Sequence, residues 1–267
     1  MIIDFHTHVF PDKIAERTIS YLAGRADVTP YTDGTVSGLE KAMDNSGVDL
    51  SVCLPVVTKP TQFESILSFA KSLNEEYQGK KLISFAGIHP LCDDIEGKLT
   101  AVKNAGIKGV KIHPDYQETY IDDDRYIEIL SVAKKLDLIV VTHAGIDCAY
   151  KDCDAMCPPD RARKVIDKVG HKKFVLAHMG GADMVDEFLS HVAGCDVYID
   201  TSFVLKNLTK EQFLKILEKH GEDKILFATD SPWSEATGDL KILKSFVQDE
   251  KVLDKILYKN ALKLLEL

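Results

Sequence analysis

Short apolar runs and longer amphipathic stretches alternate along nearly the whole chain. Eight runs rich in β-branched residues predict strands, at 2–6, 48–54, 82–88, 107–112, 138–143, 173–178, 195–201 and 224–229. Such short apolar runs are typical of strands that are buried on both faces, as in a parallel sheet. Between the runs, apolar residues recur three or four positions apart, as they do on the buried face of a helix.

These amphipathic stretches predict helices over 61–77, 94–105, 122–136, 160–169, 183–193, 209–219 and 237–248, and a closing helix over 250–265. A glycine precedes several strand runs, where the end of a helix favours a left-handed residue: Gly47, Gly106, Gly170 and Gly221. The segments 24–36 and 144–158 are expected to be loops on the side where the strands end.

Repeated strand–helix units in 267 residues predict a (β/α)8 barrel, the TIM barrel, as one domain over residues 1–267. This fold typically needs about 250 residues. A doubly wound open sheet is the alternative. It is disfavoured because no glycine-rich dinucleotide-binding motif follows the first strand.

Charge and composition narrow the range of partners. The formal net charge is -9, and an acidic surface repels phosphate backbones, so no nucleic-acid partner is expected. The sequence contains no run of about 18 apolar residues and no recognisable leader, so we expect a cytoplasmic protein without a membrane partner. The six cysteines are too few in a chain of this length to form a disulfide scaffold.

Most of the nine histidines follow strand runs. The carboxyl ends of all barrel strands meet at one face, which carries the active site. We therefore expect a group of histidines to converge there, namely His6, His8, His89, His113, His143 and His178. The other three, His171, His191 and His220, are near helix ends and are expected to be surface or capping residues.

Side chains alternate in direction along a strand, so Asp4, His6 and His8 are expected to share one face of the first strand. Lys111 and His113 are likewise expected to share the inward face of the fourth. Polar and charged groups inside a barrel mouth are costly to desolvate, and binding a cation compensates for that cost. Histidine nitrogen and carboxylate oxygen are suitable zinc ligands.

A strand-end histidine at 143, another at 178 and an aspartate at 230 accompany the His6-x-His8 pair. Any one of these features alone is weak evidence, because a strand-end aspartate is more often a turn or cap residue. The four features together predict a metal site at the barrel mouth.

At this point the sequence resembles a known superfamily. The motifs are DFHTHVFP (4–11), GVKIHP (109–114), THAG (142–145), LAHMGG (176–181), VYIDTS (197–202) and LFATDSPW (226–233). In this order they are similar to those of the amidohydrolase superfamily. The resemblance is specifically to the amidohydrolase-2 branch, with the hydrolases and decarboxylases related to aminocarboxymuconate semialdehyde decarboxylase. It is specific to the superfamily but not to a substrate.

The resemblance implies a role for each matching residue. His6, His8, His143 and Asp230 would hold one divalent ion, zinc by preference with manganese as the alternative. Asp230 would also act as the general base that accepts a proton from the attacking water. His178 would polarise the substrate or shuttle a proton.

Lys111 has more than one interpretation. Two-metal members of the superfamily often bridge their ions with a carboxylated lysine or a glutamate on strand four, where Lys111 lies. We favour one metal, with Lys111 and His113 binding an anionic substrate. A buried ion pair between Lys111 and Asp4 is the alternative. Trp233 is expected either to wall the substrate pocket or simply to pack.

Two further groups are expected near the mouth. Asp200 and Ser202 end the seventh strand, where one of them could orient a ligand histidine. The loop cysteines Cys148, Cys153 and Cys157 could form a second zinc site. Their spacing does not match a standard zinc knuckle, so free thiols are favoured.

The predicted enzyme is a metal-dependent hydrolase of a small carboxylated amide, ester or lactone, using metal-activated water. A non-oxidative, metal-dependent decarboxylase (a carboxy-lyase) of a small aromatic or unsaturated acid is the alternative. The His-x-His pair favours hydrolysis, since some decarboxylases of the branch have Glu-x-His there. A non-catalytic metal-binding barrel is a third hypothesis. The expected partner is a small, anionic substrate, and a homodimer stays an alternative to the monomer.

Overall fold

Parallel strands form a closed barrel in the computed structural model, which describes residues 1–150 and 152–267. The strands are β1 (Ile3–Thr7), β2 (Leu50–Cys53), β3 (Leu82–Ser84), β4 (Ala86–Gly87), β5 (Gly109–Ile112), β6 (Ile139–Thr142), β7 (Phe174–Leu176), β8 (Tyr198–Asp200) and β9 (Ile225–Leu226). Each pairs in parallel with the next in chain order, except that β3 and β4 are consecutive segments of one barrel position. The segment 82–88 was predicted as one strand.

The barrel closes where the last strand meets the first. The backbone N–H of Phe5 donates to the Phe227 carbonyl at 2.9 Å, and that of Asp230 donates to the His6 carbonyl at 2.8 Å. These bonds satisfy strand edges that an open sheet would leave unpaired. The predicted (β/α)8 barrel is therefore confirmed, and the doubly wound sheet is excluded.

Helices surround the barrel: α1 (Asp12–Ala26), α2 (Val36–Ser46), α3 (Phe63–Tyr77), α4 (Ile95–Asn104), α5 (Asp124–Lys135), α6 (Pro159–Val169), α7 (Val185–His191), α8 (Lys210–His220), α9 (Ala236–Phe246), α10 (Glu250–Asp254) and α11 (Asn260–Leu265). The predicted closing helix corresponds to α10 and α11, joined by a π-helical segment over Lys255–Lys259. Among the described residues, no helix is long and apolar enough to cross a bilayer.

Two segments differ from the predicted loops. Helix α1 continues to Ala26, three residues into the segment 24–36 that was predicted as loop. The predicted loop 144–158 contains one 3-10 turn, Cys148–Tyr150, and its residue 151 lies outside the described residues. This loop follows β6 at the carboxyl-terminal face of the barrel, so it is placed to contribute to the mouth.

Apolar side chains fill the lumen below the mouth. They belong to one buried cluster that joins most of the barrel strands to helix α11: Ile3, Phe5, Leu50, Val52, Leu54, Ile83, Phe85, Ile139, Val141, Val175, Tyr198, Leu226, Ala228, Ala261, Leu264 and Leu265. A second, larger cluster packs the outer strand faces against the helices. The two layers hold the strand ends rigidly, which is what positions the polar residues above them.

Strand β1 has an irregularity that changes one expectation. Its register with β2 shifts between Asp4 and Thr7, so simple alternation fails there. Asp4 accepts hydrogen bonds from the Thr229 backbone N–H at 3.0 Å and hydroxyl at 2.6 Å. His6 instead contacts Lys111 in the mouth. The prediction that Asp4 shares a face with His6, and the alternative Lys111–Asp4 ion pair, are therefore wrong.

The histidines at helix ends are structural, as expected, but two of them are not at the surface. His171 and His220 are buried, and their Nε2 atoms lie 2.8 Å from the Leu138 carbonyl and 3.1 Å from the Val197 carbonyl. His191 is exposed. Buried imidazoles of this kind tie helix ends to neighbouring strands and have no place in the mouth.

Candidate active site

His6, His8 and Asp230 form a compact group at the barrel mouth. The Nε2 atoms of the two histidines are 3.2 Å apart. The Oδ1 atom of Asp230 lies 3.4 Å from His6 Nε2 and 3.0 Å from His8 Nε2. The structure thus brings together three of the four predicted metal ligands, with one donor atom of each side chain pointing to a common centre.

The other ring nitrogen of each histidine is already engaged. His6 Nδ1 lies 3.0 Å from Asp200 Oδ2, and His8 Nδ1 lies 2.8 Å from the Leu54 carbonyl oxygen. Because both partners are acceptors, we assign the proton of each neutral imidazole to Nδ1, which leaves a lone pair on Nε2. Ser202 Oγ also lies 3.1 Å from His6 Nδ1, so both contacts agree with the expectation that Asp200 or Ser202 orients a ligand histidine, which stays a prediction.

This arrangement fits a cation. Two nitrogen lone pairs and a carboxylate oxygen repel one another at 3.0–3.4 Å unless a positive charge lies among them. The Lys111 ammonium, whose Nζ is 3.1 Å from His6 Nε2, can donate to that one atom. His8 Nε2 and Asp230 Oδ1 would still face each other. A divalent ion would satisfy all three donor atoms.

Charges in the group follow from burial and from close partners. Burial opposes ionisation of Asp230, but in the acid range, where His6 is protonated, the charge of His6 and the hydrogen bond with His8 outweigh burial and lower the pKa of Asp230 to about 2. Burial, reinforced by Lys111, lowers the pKa of His6 to about 4. Burial also lowers the pKa of Lys111 to about 8. Asp230 is thus ionised at neutral pH, as a metal ligand or general base must be.

His178 lies next to this group on the loop after β7. Its ring centroid is 5.4 Å from that of His6. Its Nδ1 atom is 3.0 Å from the Ser202 carbonyl, so in the neutral ring Nδ1 is the protonated nitrogen. The Nε2 atom is therefore the one that can take up a proton.

The fourth predicted ligand, His143, lies in a neighbouring group with His113 and Asp147. The rings of His113 and His143 stack at 4.4 Å between centroids. Asp147 Oδ2 is 3.3 Å from His113 Nε2 and 4.0 Å from His143 Nε2. The donor atoms of these three buried side chains lie close enough together to hold an ion of their own.

The mouth of the barrel therefore contains two groups of histidine and aspartate side chains, each of which could hold a metal ion. The amidohydrolase family model Amidohydro_2 matches residues 3–267. The chain belongs to the amidohydrolase family. No curated protein sequence is similar enough to count as a match.

Solved structures of low identity share the barrel of this amidohydrolase. A 2,6-dihydroxybenzoate decarboxylase from Rhizobium is 15% identical, with a TM-score of 0.73 over 99% of this chain and 98% of its own. A dihydroxybenzoic acid decarboxylase from a Polaromonas species, with bound manganese and the inhibitor 2-nitroresorcinol, is 15% identical, with a TM-score of 0.71 over 99% and 96%. A probable 2-pyrone-4,6-dicarboxylic acid hydrolase from Acinetobacter baumannii, with citric acid bound, is 18% identical, with a TM-score of 0.70 over 100% and 99%.

Two carboxylates of the amidohydrolase mouth were missed in the sequence. Asp147 lies in the loop after β6, four residues beyond His143, and Asp115 lies two residues beyond His113. A spacing of two or four after a strand-end histidine was the available signal. It is weak because the direction of a loop side chain is not fixed by strand alternation.

Trp233 and the loop cysteines are further residues that the sequence singled out. Trp233 is partly buried, and its backbone N–H donates to the Asp230 carbonyl at 2.8 Å, which places it beside the first group. Its role as a pocket wall stays a prediction. Cys153 is exposed whereas Cys157 is buried, and the metal-capable groups found among the described residues contain no cysteine. This agrees with free thiols rather than a second zinc site.

Proposed function

We propose that the protein is a metal-dependent hydrolase of a small carboxylated amide, ester or lactone. The observation that supports this most is the contact of one Asp230 oxygen with the Nε2 atoms of both His6 and His8. That arrangement places an ionised carboxylate beside the cation that the two histidines would hold.

When bound, a divalent ion such as zinc would polarise the substrate and lower the pKa of water to near 7. Asp230 would take the proton of the attacking water and then pass it to the leaving group. Its low pKa keeps it ionised for the first of these steps. His178, with Nδ1 hydrogen-bonded to Ser202, is suited to shuttle a proton through Nε2.

An anionic substrate group would be bound by Lys111. Its ammonium is buried and lies 3.1 Å from His6 Nε2, so an anion that reached it would lie directly beside the reacting centre. Charge-assisted hydrogen bonds in such a dry site are stronger than those at the surface. We retain His113 as a second substrate contact in this proposal, with Trp233 at the rim.

Decarboxylation of a small aromatic acid is the second candidate. The ring of Tyr116 stacks on that of His113, with centroids 3.9 Å apart and an interplanar angle of 18°. A flat aromatic wall of this kind beside the mouth would suit a planar substrate. Aromatic-acid decarboxylases are also among the proteins that share the fold.

The deciding experiment is a parallel screen with zinc-loaded and manganese-loaded protein. One panel contains small carboxylated lactones, esters and amides, and the other contains hydroxylated aromatic acids. Hydrolysis is followed by incorporation of ¹⁸O from labelled water, and decarboxylation by released CO2. We expect ¹⁸O incorporation without CO2. Release of CO2 without ¹⁸O incorporation would replace the proposal with the second candidate, and inactivity on both panels with metal bound would contradict both.

A further inference from the structure

We propose that Asp4 is a positioning residue that sets the spacing between His6 and Asp230 in the first group. Asp4 lies on β1 two residues before His6, and Asp230 follows β9, so the two halves of the group come from different strands. The inference rests on the proposed function, because His6 and Asp230 are the residues that would hold the ion and accept the proton of the attacking water.

The carboxylate of Asp4 joins the two strands beneath the group. Its Oδ1 atom accepts hydrogen bonds from the backbone N–H of His6 at 3.2 Å and from that of Thr229 at 3.0 Å. Its Oδ2 atom accepts the Thr229 hydroxyl at 2.6 Å. Asp4 is 3% exposed and Thr229 is 1% exposed, so little water competes for these bonds. One carboxylate therefore holds the backbone of His6 and of the residue directly before Asp230.

The Thr229 hydroxyl extends this link past Asp230. Its oxygen accepts the backbone N–H of Ser231 at 2.9 Å, while its hydrogen is donated to Asp4. The residues on both sides of Asp230 are thereby tied to Asp4. The Asp230 N–H in turn donates to the His6 carbonyl at 2.8 Å. His6 is thus held at its N–H by Asp4 and at its carbonyl by Asp230.

The side-chain atoms that depend on this backbone are close to one another. Asp230 Oδ1 lies 3.4 Å from His6 Nε2, and two ligands of one zinc ion are about 3–4 Å apart. Asp200 contacts the His6 ring at Nδ1, whereas Asp4 contacts the backbone, so the two carboxylates would fix different parts of the same ligand. Removing a group that orients a metal ligand typically costs about 10–100-fold in metal affinity or activity.

A purely structural role in closing the barrel is the competing explanation. The backbone bond from Phe5 to Phe227, at 2.9 Å, already joins β1 to β9. Ile3 and Leu226 also belong to one buried apolar cluster. Because these contacts hold the two strands together without Asp4, we expect the loss of one Asp4 hydrogen bond to disturb the group more than the fold.

The test removes the bond between Asp4 and the Thr229 hydroxyl from each end. Asp4→Asn removes the second accepting oxygen, and Thr229→Val removes the donor. Thr229→Ser keeps the hydroxyl and is the conservative variant that should rescue. Thr201→Val is the matched control, because the buried Thr201 hydroxyl likewise donates one hydrogen bond and accepts another, both at 2.9 Å with the backbone of Ala228.

Each full-length protein is stripped with chelator and titrated with Co²⁺ while its visible absorption is followed. The bands that are lost in His8→Ala identify the ion at the first group. Turnover is measured on a substrate found in the screen. All measurements are made at about pH 8.5, where the carboxyl group of Asp4, whose pKa burial raises to about 7, is ionised.

We expect Asp4→Asn and Thr229→Val each to shift these Co²⁺ bands and to lower kcat by about 10–100-fold, with a smaller change in KM. The double variant should be no worse than either single variant, because both substitutions remove the same bond. Thr229→Ser and Thr201→Val should both resemble the wild type.

The outcomes separate this role from the proposed function. Unchanged Co²⁺ bands and kcat in Thr229→Val, or equal effects in Thr229→Val and Thr201→Val, would overturn the positioning role and leave the hydrolase proposal standing. Bands that shift as expected, in a protein that hydrolyses nothing in the screen, would support the positioning role and contradict the hydrolase. A wild type that binds no Co²⁺ would contradict both. If Asp4→Asn does not fold by far-UV circular dichroism, the Thr229 variants decide the question.

Discussion

At the residue scale, His178 and Asp230 share an uncommon backbone conformation. Their φ angles are 58° and 68°, in the left-handed region that non-glycine residues rarely occupy. The surroundings hold both residues there, since the His178 N–H donates to Asp200 Oδ1 at 2.9 Å and the Asp230 N–H donates to the His6 carbonyl at 2.8 Å. Strain retained in this way clusters at functional sites. The conformation agrees with the catalytic role predicted for the two residues, which stays a prediction.

Asp230→Asn tests the general base. The amide keeps the shape and one oxygen but cannot accept the proton, so we expect turnover to fall by at least about 10²-fold. Bound metal should largely remain, and KM should change much less than kcat because the carboxylate acts mainly in the transition state. Steady-state kinetics and elemental analysis of the same preparation measure both quantities. Near-normal turnover with metal bound would contradict the proposed water activation, and His178 would then be the residue to substitute.

A single site residue could be predicted from the sequence only where it lies on or directly after a regular strand. His6, His8 and Asp230 were predictable because strand ends in a barrel converge. Asp4 was assigned to the wrong face because the register shift in β1 leaves no trace in the apolar–polar pattern. Asp147 was missed because its position depends on the path of a loop, which no sequence period describes.

At the scale of elements, strand β5 depends on the absence of a side chain at Gly109. A Cβ there would lie 2.4 Å from the Ile139 carbonyl oxygen and 2.7 Å from Cε2 of Phe85. We expect Gly109→Ala to lower the free energy of unfolding by about 1–3 kcal/mol, because neither the neighbouring strand nor the buried ring can move freely. Urea denaturation measures the change.

The matched control is Gly24→Ala, within the exposed part of α1. Nothing lies within 4 Å of an added Cβ there. A helical glycine replaced by alanine should stabilise the protein by about 0.5–1 kcal/mol. Equal effects of the two substitutions would contradict the packing role of Gly109.

Helix α9 contains a buried acid that links stability to pH. Asp239 is buried, and its Oδ2 atom has no hydrogen-bond partner in the described structure. Burial, reinforced by the charge of Glu235, raises its pKa from 3.8 to about 7. The folded state therefore holds this proton between pH 4 and 7 while the unfolded chain releases it. The stabilisation is complete below pH 4 and is lost as pH rises through about 7.

Asp239→Asn should remove that dependence. The free energy of unfolding of the variant, relative to the wild type, should increase as pH rises from 5 to 8, by up to about 1.4 kcal/mol per unit below pH 7. Denaturation of both proteins at four pH values measures the difference, in which the titration of groups remote from Asp239 cancels. The titration of Asp4 does not cancel fully, because the charge of Asp239 contributes to raising its pKa. A difference independent of pH would show that Asp239 is ionised in the folded state.

At this scale the order of the strands could be predicted, because their short, continuous apolar runs differ clearly from the spaced apolar residues of amphipathic helices. Helices α1 and α2 were not predicted from the sequence. In α1 only Ala15 and Ile19 are buried, so its apolar stripe is too thin to show a clear period. The break between β3 and β4 was also hidden, since the residues of 82–88 form one mostly apolar run.

At the scale of the whole molecule, the two groups of metal-capable side chains lie above the barrel lumen. Apolar packing of the lumen does not involve these side chains. Apolar side chains fill the barrel below the mouth, and a separate cluster lies under the helices. Chelation should therefore abolish activity while leaving the far-UV circular dichroism largely unchanged. Loss of the helical signal on chelation would mean that the ions are structural, which would weaken the catalytic proposal.

The barrel as a whole was predictable because strand and helix alternate regularly over the full chain. The substrate could not be predicted, because it depends on the shape of the loops around the mouth, such as 114–121 and 144–158. Their shape depends on contacts such as the 4.1 Å approach of the Arg25 guanidinium to the Tyr150 ring. Contacts of this kind join distant segments and follow from no local pattern.

The hydrogen-bonded seam between the first and last strands, β1 and β9, closes the barrel. It has a consequence for when the site can form during synthesis of the chain. His6 and Asp230 come from opposite ends of the 267-residue chain, yet they are adjacent through one backbone hydrogen bond of that seam. A ribosome that has made only the first two hundred residues has made both histidines but not Asp230, the carboxylate that contacts both of their Nε2 atoms. The three side chains of the first group come together only when the last strand has joined the first, so binding of an ion by all three would report that the barrel has closed.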